Sequence, residues 1–136
     1  MAKPTPDLLR NVPLFSGLDD DELASLADEF NERRFTAGDT IALEGEGGLM
    51  FFVVESGEAA VEVHGEAVAT LGPGAHFGEI ALIDRRPRTA TVTARTDLRT
   101  FGLPVFVFRP FVEARPAVAW KLLEAMADRL AEAESR

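Results

Sequence analysis

The sequence predicts an α+β domain, mainly β: a sandwich or jelly-roll β-barrel flanked by an N-terminal helical segment and two C-terminal helices. Three observations predict it. Glycine punctuates the middle of the chain at 38, 45, 47, 48, 57, 65, 72, 74 and 78, leaving only short runs between turns. Within those runs Val61 and Val63 alternate with Ala60, Glu62 and His64, the pattern of a half-buried strand. On either side of this region the apolar residues recur at helical spacing instead.

The chain is expected to be one domain over residues 1–136 in three parts, 1–36, 37–103 and 104–136. In the first, Leu8, Leu9, Val12, Leu14 and Phe15 form an apolar cluster broken by Pro13. Asp19, Asp20, Asp21 and Glu22 then open a helix, because acids in a first turn suit the helix dipole. Leu23, Leu26, Ala27 and Phe30 follow at helical spacing. A metal-binding reading of the acids fails for want of partner ligands nearby.

The middle part carries six expected strands: Thr40 to Leu43, Met50 to Glu55, Ala59 to His64, Ala67 to Leu71, Thr89 to Ala94 and Leu98 to Leu103. His64-Gly65-Glu66 reads as a tight hairpin turn. Pro104 ends the strands. One helix then carries Phe106, Phe108, Phe111 and Val112 and stops near Pro116. The last carries Val118, Leu122, Leu123, Met126 and Leu130 as one apolar stripe, with Lys121, Glu124, Asp128, Arg129 and Glu132 mostly off it. Trp120 and the phenylalanines of these helices are assigned to the core.

Charge narrows the function. The net charge is −9, which repels nucleic-acid backbones, and the densest basic cluster is Arg85, Arg86 and Arg88. That cluster suits one phosphate rather than a duplex. With no cysteine, disulfides, thiolate metal sites and cysteine nucleophiles are excluded. Two histidines, His64 and His76, are too few for a jelly-roll metal enzyme, although His76 stands three residues before Glu79. The longest apolar run, Leu49 to Val54, is far short of a membrane span, and the N-terminus has no signal-peptide pattern, so a cytoplasmic location without membrane attachment is expected.

The chemistry concentrates between Phe77 and Val92, in the segment FGEIALIDRRPRTATV. Gly78 allows close backbone approach to a ligand. Ile80 to Ile83 can form one turn, and free N–H groups at a helix start hold an anion. Arg88 adds a planar fork of donors suited to phosphate. A carboxylate beside an anion site makes sense if it accepts from sugar hydroxyls, which gives Glu79 a ribose. Phosphate donor and ribose acceptor in one short loop point to a nucleotide. Arg85 and Arg86 are read as solvent-facing, Arg86 being biased to an extended turn by Pro87.

This segment resembles the phosphate-binding cassette of the cyclic nucleotide-binding domain family. The resemblance continues through Leu9 to Phe15 with Leu18 and Leu23, Ala37 to Ile41, Gly45-Glu46, Gly57-Glu58, Val61, Val63 and Leu71 to Gly74, so it covers essentially the whole chain. It implies a jelly-roll barrel, and a ligand that is cAMP or cGMP. It implies that Arg88 pairs with the cyclic phosphate, Glu79 accepts from the ribose 2′-hydroxyl, Gly78 meets the ribose through its backbone, and the amides of Ala81 and Thr89 complete the cradle. Phe77, Ile80, Leu82 and Ala90 are additional candidates. The family closes the purine side from the last helix, where Ala133, Glu134 and Arg136 lie at a suitable distance along the chain. Several members with Thr at the position of Thr89 favour guanine, and bacterial members with Ser or Thr there also bind cAMP, so the base stays open.

Leu49 and Met50 depart from the family by standing where many relatives are polar, and His76 replaces a commoner small or acidic residue. No recognition-helix module is expected beyond Arg136, and the resemblance to transcription factors is not expected to extend to DNA binding. The expectation is therefore a non-catalytic regulatory sensor, without metal or cofactor, whose C-terminal helices respond to ligand and are read by an effector protein. The chain itself is expected to be a monomer or weak homodimer. The competing readings are a nucleotide-blind interaction module of the same fold, a barrel enzyme and a DNA-binding regulator.

Overall fold

A computed structural model describes residues 2–42, 45, 50–78, 82 and 90–135. Helix α1 (Pro6–Arg10) begins where the Thr5 hydroxyl accepts from the Leu8 amide, with proline at its first position. A 3-10 turn follows at Pro13–Phe15. Helix α2 (Asp20–Ala27) starts in a capping box: Asp19 accepts from the Glu22 amide at 2.8 Å, and Glu22 accepts from the Asp19 amide at 2.9 Å. The acidic run thus does what its position predicts.

The helical segment expected to reach Thr36 stops at Ala27, and a strand, β1 (Asn31–Phe35), takes its place. The segment NERRF has no apolar alternation of its own. It is a strand because β8 (Leu98–Pro104) pairs with it from Asn31↔Gly102 to Phe35↔Leu98, so tertiary pairing decides over local pattern. Phe30, just outside α2, is still fully buried.

The other strands are β2 (Thr40–Ala42), β3 (Met50–Ser56), β4 (Ala59–Val63), β5 (Glu66–Leu71), β6 (His76–Phe77) and β7 (Thr91–Ala94). All six expected strands are present, with ends moved by a residue or two; β1 and the two-residue β6 were not foreseen. Two antiparallel sheets result, in the orders β1-β8-β3-β6 and β2-β7-β4-β5, the expected jelly-roll arrangement. The β4–β5 hairpin turns at His64 (φ 52°) and Gly65 (φ 80°), closing on the Val63↔Glu66 pair. Two successive left-handed residues match the twist of the strands they join.

Strand β3 divides the interior. Phe51 and Val53 point to a core shared with Leu9, Phe15, Leu23, Phe30, Phe108 and Phe111, between the first sheet and the helices. Phe52 and Val54 point to a second core between the sheets, with Ala42, Ala59, Phe77, Val92 and Leu98. A strand buried on both faces needs a continuous apolar run, which Met50 to Val54 supplies. Met50 packs against the second core.

After β8, α3 (Val105–Glu113) buries Phe108 and Phe111, and α4 (Pro116–Glu134) buries Val118, Leu122 and Ala125. Two core assignments fail here. Phe106 is 72% exposed and Trp120 is 65% exposed. Leu123, Met126 and Leu130, assigned to the same stripe as Val118 and Leu122, are exposed as well. Two neighbouring apolar stripes share α4, and helical spacing alone cannot choose which one meets the body.

Candidate functional site

The segment 77–92 enters from one sheet and leaves into the other. Phe77 ends β6, paired with Phe52 of β3; Thr91 begins β7, paired with Glu62 of β4. The start of the segment is rigid, because Phe77 is buried and its ring stacks on that of Phe52, centroids 5.1 Å apart and planes 26° apart. The next residue, Gly78, has φ +89°, a left-handed conformation that favours glycine.

Leu82 holds the middle of the segment. Only 7% exposed, it belongs to the core that contains Phe108, Phe111, Val118 and Leu122 of the two C-terminal helices. Phe77 belongs to the other core, between the sheets. Two described residues of the segment, five positions apart, thus belong to different cores. Ala90, half-buried, stands just before β7. Ala133 and Glu134 lie in the last turn of α4 and are exposed. Glu79, Ile80, Ala81, Arg88 and Thr89, with Arg85 and Arg86, lie outside the described residues, as do Leu49 and Arg136.

The core between the sheets is apolar: Phe52, Val54, Phe77 and Val92, with Val61 and Leu71 partly buried against them. These side chains include no acid–base pair. His76 points to the other side of β6, its ring 6.0 Å from that of Phe51. Among the described residues no group of three or more His, Cys, Asp or Glu could hold a metal ion.

Sequence reasoning missed one contact that bears on the helices. Lys121, assigned to the solvent side of α4, is half-buried and donates from Nζ to Glu22 Oε1 at 2.5 Å. The hydrogen bond it donates to Glu22 raises its pKa above the ordinary lysine range, against a smaller opposing effect of burial. The partners are far apart in the chain, so no local signal could have found them.

A family model described as the cyclic nucleotide-binding domain matches residues 32–115. The chain belongs to the cyclic nucleotide-binding domain family. A cAMP-dependent protein kinase regulatory subunit of Yarrowia lipolytica is 46% identical to it over 97 residues. That match takes in 70% of this chain and 26% of the relative, so the chain spans about a quarter of that protein's length. Among solved structures, the N-terminal domain of a transcriptional regulator from Streptomyces coelicolor superposes with a TM-score of 0.89 at 36% identity, covering 95% of this chain and 96% of that one. The catabolite activator protein of Thermus thermophilus gives 0.72 at 31% identity, over 90% of this chain and 60% of its own. The expected family and its jelly-roll fold are thereby established for this cyclic nucleotide-binding domain.

Proposed function

We propose that this domain binds a cyclic mononucleotide, cAMP or cGMP, through the segment 77–92, and that it acts as a non-catalytic regulatory sensor whose C-terminal helices respond to the ligand. The family membership supports the ligand class. The observation that supports the response is the double anchoring of the loop, with Phe77 in the barrel core and Leu82 in the core of α3 and α4. A ligand that draws the loop onto the barrel must disturb Leu82, and with it the packing of the helices.

In this reading Arg88 neutralises the cyclic phosphate, and the amides of Ala81 and Thr89 complete its cradle. Glu79 accepts from the ribose 2′-hydroxyl, and Gly78 offers its backbone there. Phe77, Ile80, Leu82 and Ala90 support the loop, and Ala133 or Glu134 closes the purine side. The acidic surface argues against nucleic acid as the ligand, and no helix among the described residues is long and apolar enough to cross a membrane. The output is read by an effector protein in the cytoplasm, for which the exposed Trp120, Leu123, Met126 and Leu130 of α4 provide an apolar surface.

Calorimetric titration with cAMP and, separately, cGMP tests the proposal, with Arg88→Ala as control. Binding that the control loses establishes the sensor. Well-folded protein that binds neither nucleotide makes the domain a nucleotide-blind interaction module.

A further inference from the structure

Of the two apolar stripes on α4, one is buried through Val118, Leu122 and Ala125, and the other stays uncovered among the described residues. Trp120, Leu123, Met126 and Leu130 are between 42% and 65% exposed. With the exposed Ala127, this second stripe runs Trp120, Leu123, Ala127, Leu130, at intervals of three and four residues. That is the spacing of a helix that packs along another helix. Charge says what fits it. Glu124, Asp128 and Glu132 are exposed and recur every four residues, so they form a row beside the seam, about 40–120° round the helix from Trp120. Glu134 adds a further exposed carboxylate near the end of the seam. The two cations of α4 do not offset these acids. Lys121 is taken up by Glu22, and Arg129 lies about half a turn round the helix from Trp120. A second copy of this chain would bring the same acidic row to the seam, and with it another net charge of −9. A helix with lysine or arginine beside its apolar positions brings the opposite charge.

We propose that the seam from Trp120 to Leu130 docks an amphipathic helix of a partner protein, one whose apolar positions are flanked by lysine and arginine. The partner's role as effector rests on the sensor reading, whereas the docking itself does not. Trp120 is the anchor, because a large ring with few rotamers brings much apolar area at little entropic cost. The seam spans about three helical turns. That is at the small end of interface sizes, so the complex belongs in the micromolar range.

Synthetic helical peptides titrated into the nucleotide-free chain test this, with Trp120, the single tryptophan, as reporter. The first peptide has leucine at the three-four spacing and lysine at the flanking positions. It should bind with a Kd of about 10 μM and shift Trp120 emission to the blue. A second peptide, with glutamate for every lysine, should not bind. A third keeps the lysines and has serine for every leucine, which separates the seam from general attraction to an acidic protein; it should not bind either. Leu123→Glu should abolish binding of the first peptide. Glu124→Lys with Asp128→Lys and Glu132→Lys should exchange the preference, so that the glutamate peptide binds instead. Equal binding of the first peptide and either control overturns the proposal, as does binding of none. Sedimentation of the free chain examines the competing occupant: a dimer that Leu123→Glu dissociates would mean that a second copy covers the seam, and would overturn the proposal too. These measurements need no nucleotide, so a chain that binds neither cAMP nor cGMP sinks the sensor reading alone.

Discussion

Phe77 stacks on Phe52 at the point where β6 ends, so the start of the segment 77–92 is fixed by a barrel side chain. Both rings are nearly fully buried. Phe77→Ala should cost about 3–5 kcal/mol of stability through lost burial and a cavity. Phe77→Leu should cost much less, because it keeps most of the volume. A double-mutant cycle of Phe77→Leu with Phe52→Leu should return a coupling of about 0.5–1.5 kcal/mol, the share of the ring pair itself. Urea unfolding measures all of these. A coupling of zero would mean the stack contributes only its area.

Arg88 and Arg85 are chemically identical and three residues apart, which makes them a matched pair. If Arg88 neutralises the cyclic phosphate, Arg88→Ala leaves a buried charge unpaired. The expected loss is about 3–5 kcal/mol, or about a hundredfold to a few thousandfold in affinity. Arg85→Ala should change affinity far less. Equal losses in the two variants would place the phosphate elsewhere.

What the sequence made legible follows the range of the forces involved. The start of α2 was readable because acids in a first turn are a local signal, and the His64-Gly65 turn because its conformation is local. β1 was not, since NERRF becomes a strand only by pairing with β8. The buried face of α4 was misassigned for the same reason: two apolar stripes run side by side, and only the docking of Val118, Leu122 and Lys121 onto distant residues selects between them. In the candidate site, the order of residue types from Gly78 to Thr89 carried the family, while the burial of Leu82 among residues of α3 and α4 needed the fold.

The pH dependence of stability should carry the mark of Glu32. Hydrogen bonds from Arg99 first and Arg34 second, at 2.8 and 2.5 Å, hold its carboxyl below the ordinary glutamate range, against an opposing desolvation. A carboxyl with a lowered folded pKa binds more protons when the chain unfolds. Its stabilisation is thus present above the unfolded value and lost as pH falls through the folded one. Glu32→Gln should flatten this acid limb in urea midpoints measured across that range. Lys121 works in the opposite sense: its raised pKa makes its contribution complete at neutral pH and lost as pH rises through the folded value. An acid limb unchanged in Glu32→Gln would assign it to other carboxyls.

Two glycines should respond differently to the same added methyl. Gly57 links β3 to β4 at φ +90°, and a Cβ there would stand 2.3 Å from the carbonyl oxygen of Asp97 and 3.1 Å from Leu98 Cα. These are backbone atoms of a turn already fixed by hydrogen bonds from the Arg95 and Thr96 amides to the Glu58 carbonyl, so they cannot give way. Left-handed backbone and overpacking each cost about 1–3 kcal/mol, and Gly57→Ala should show both. Gly102 lies in β8 with ordinary strand geometry, and its Cβ would first meet Met50 Cε at 2.6 Å, the far end of a flexible side chain. Only the overpacking cost of about 1–3 kcal/mol applies there. Adding Met50→Ala should relieve that overpacking in Gly102→Ala, so the double variant should lose less than the sum of its parts, whereas the same change should do nothing for Gly57→Ala. Urea midpoints of the three single and two double variants decide it, and a Gly102→Ala protein less stable than Gly57→Ala would mean that the barrel interior at Met50 and Phe52 is packed more rigidly than the turn.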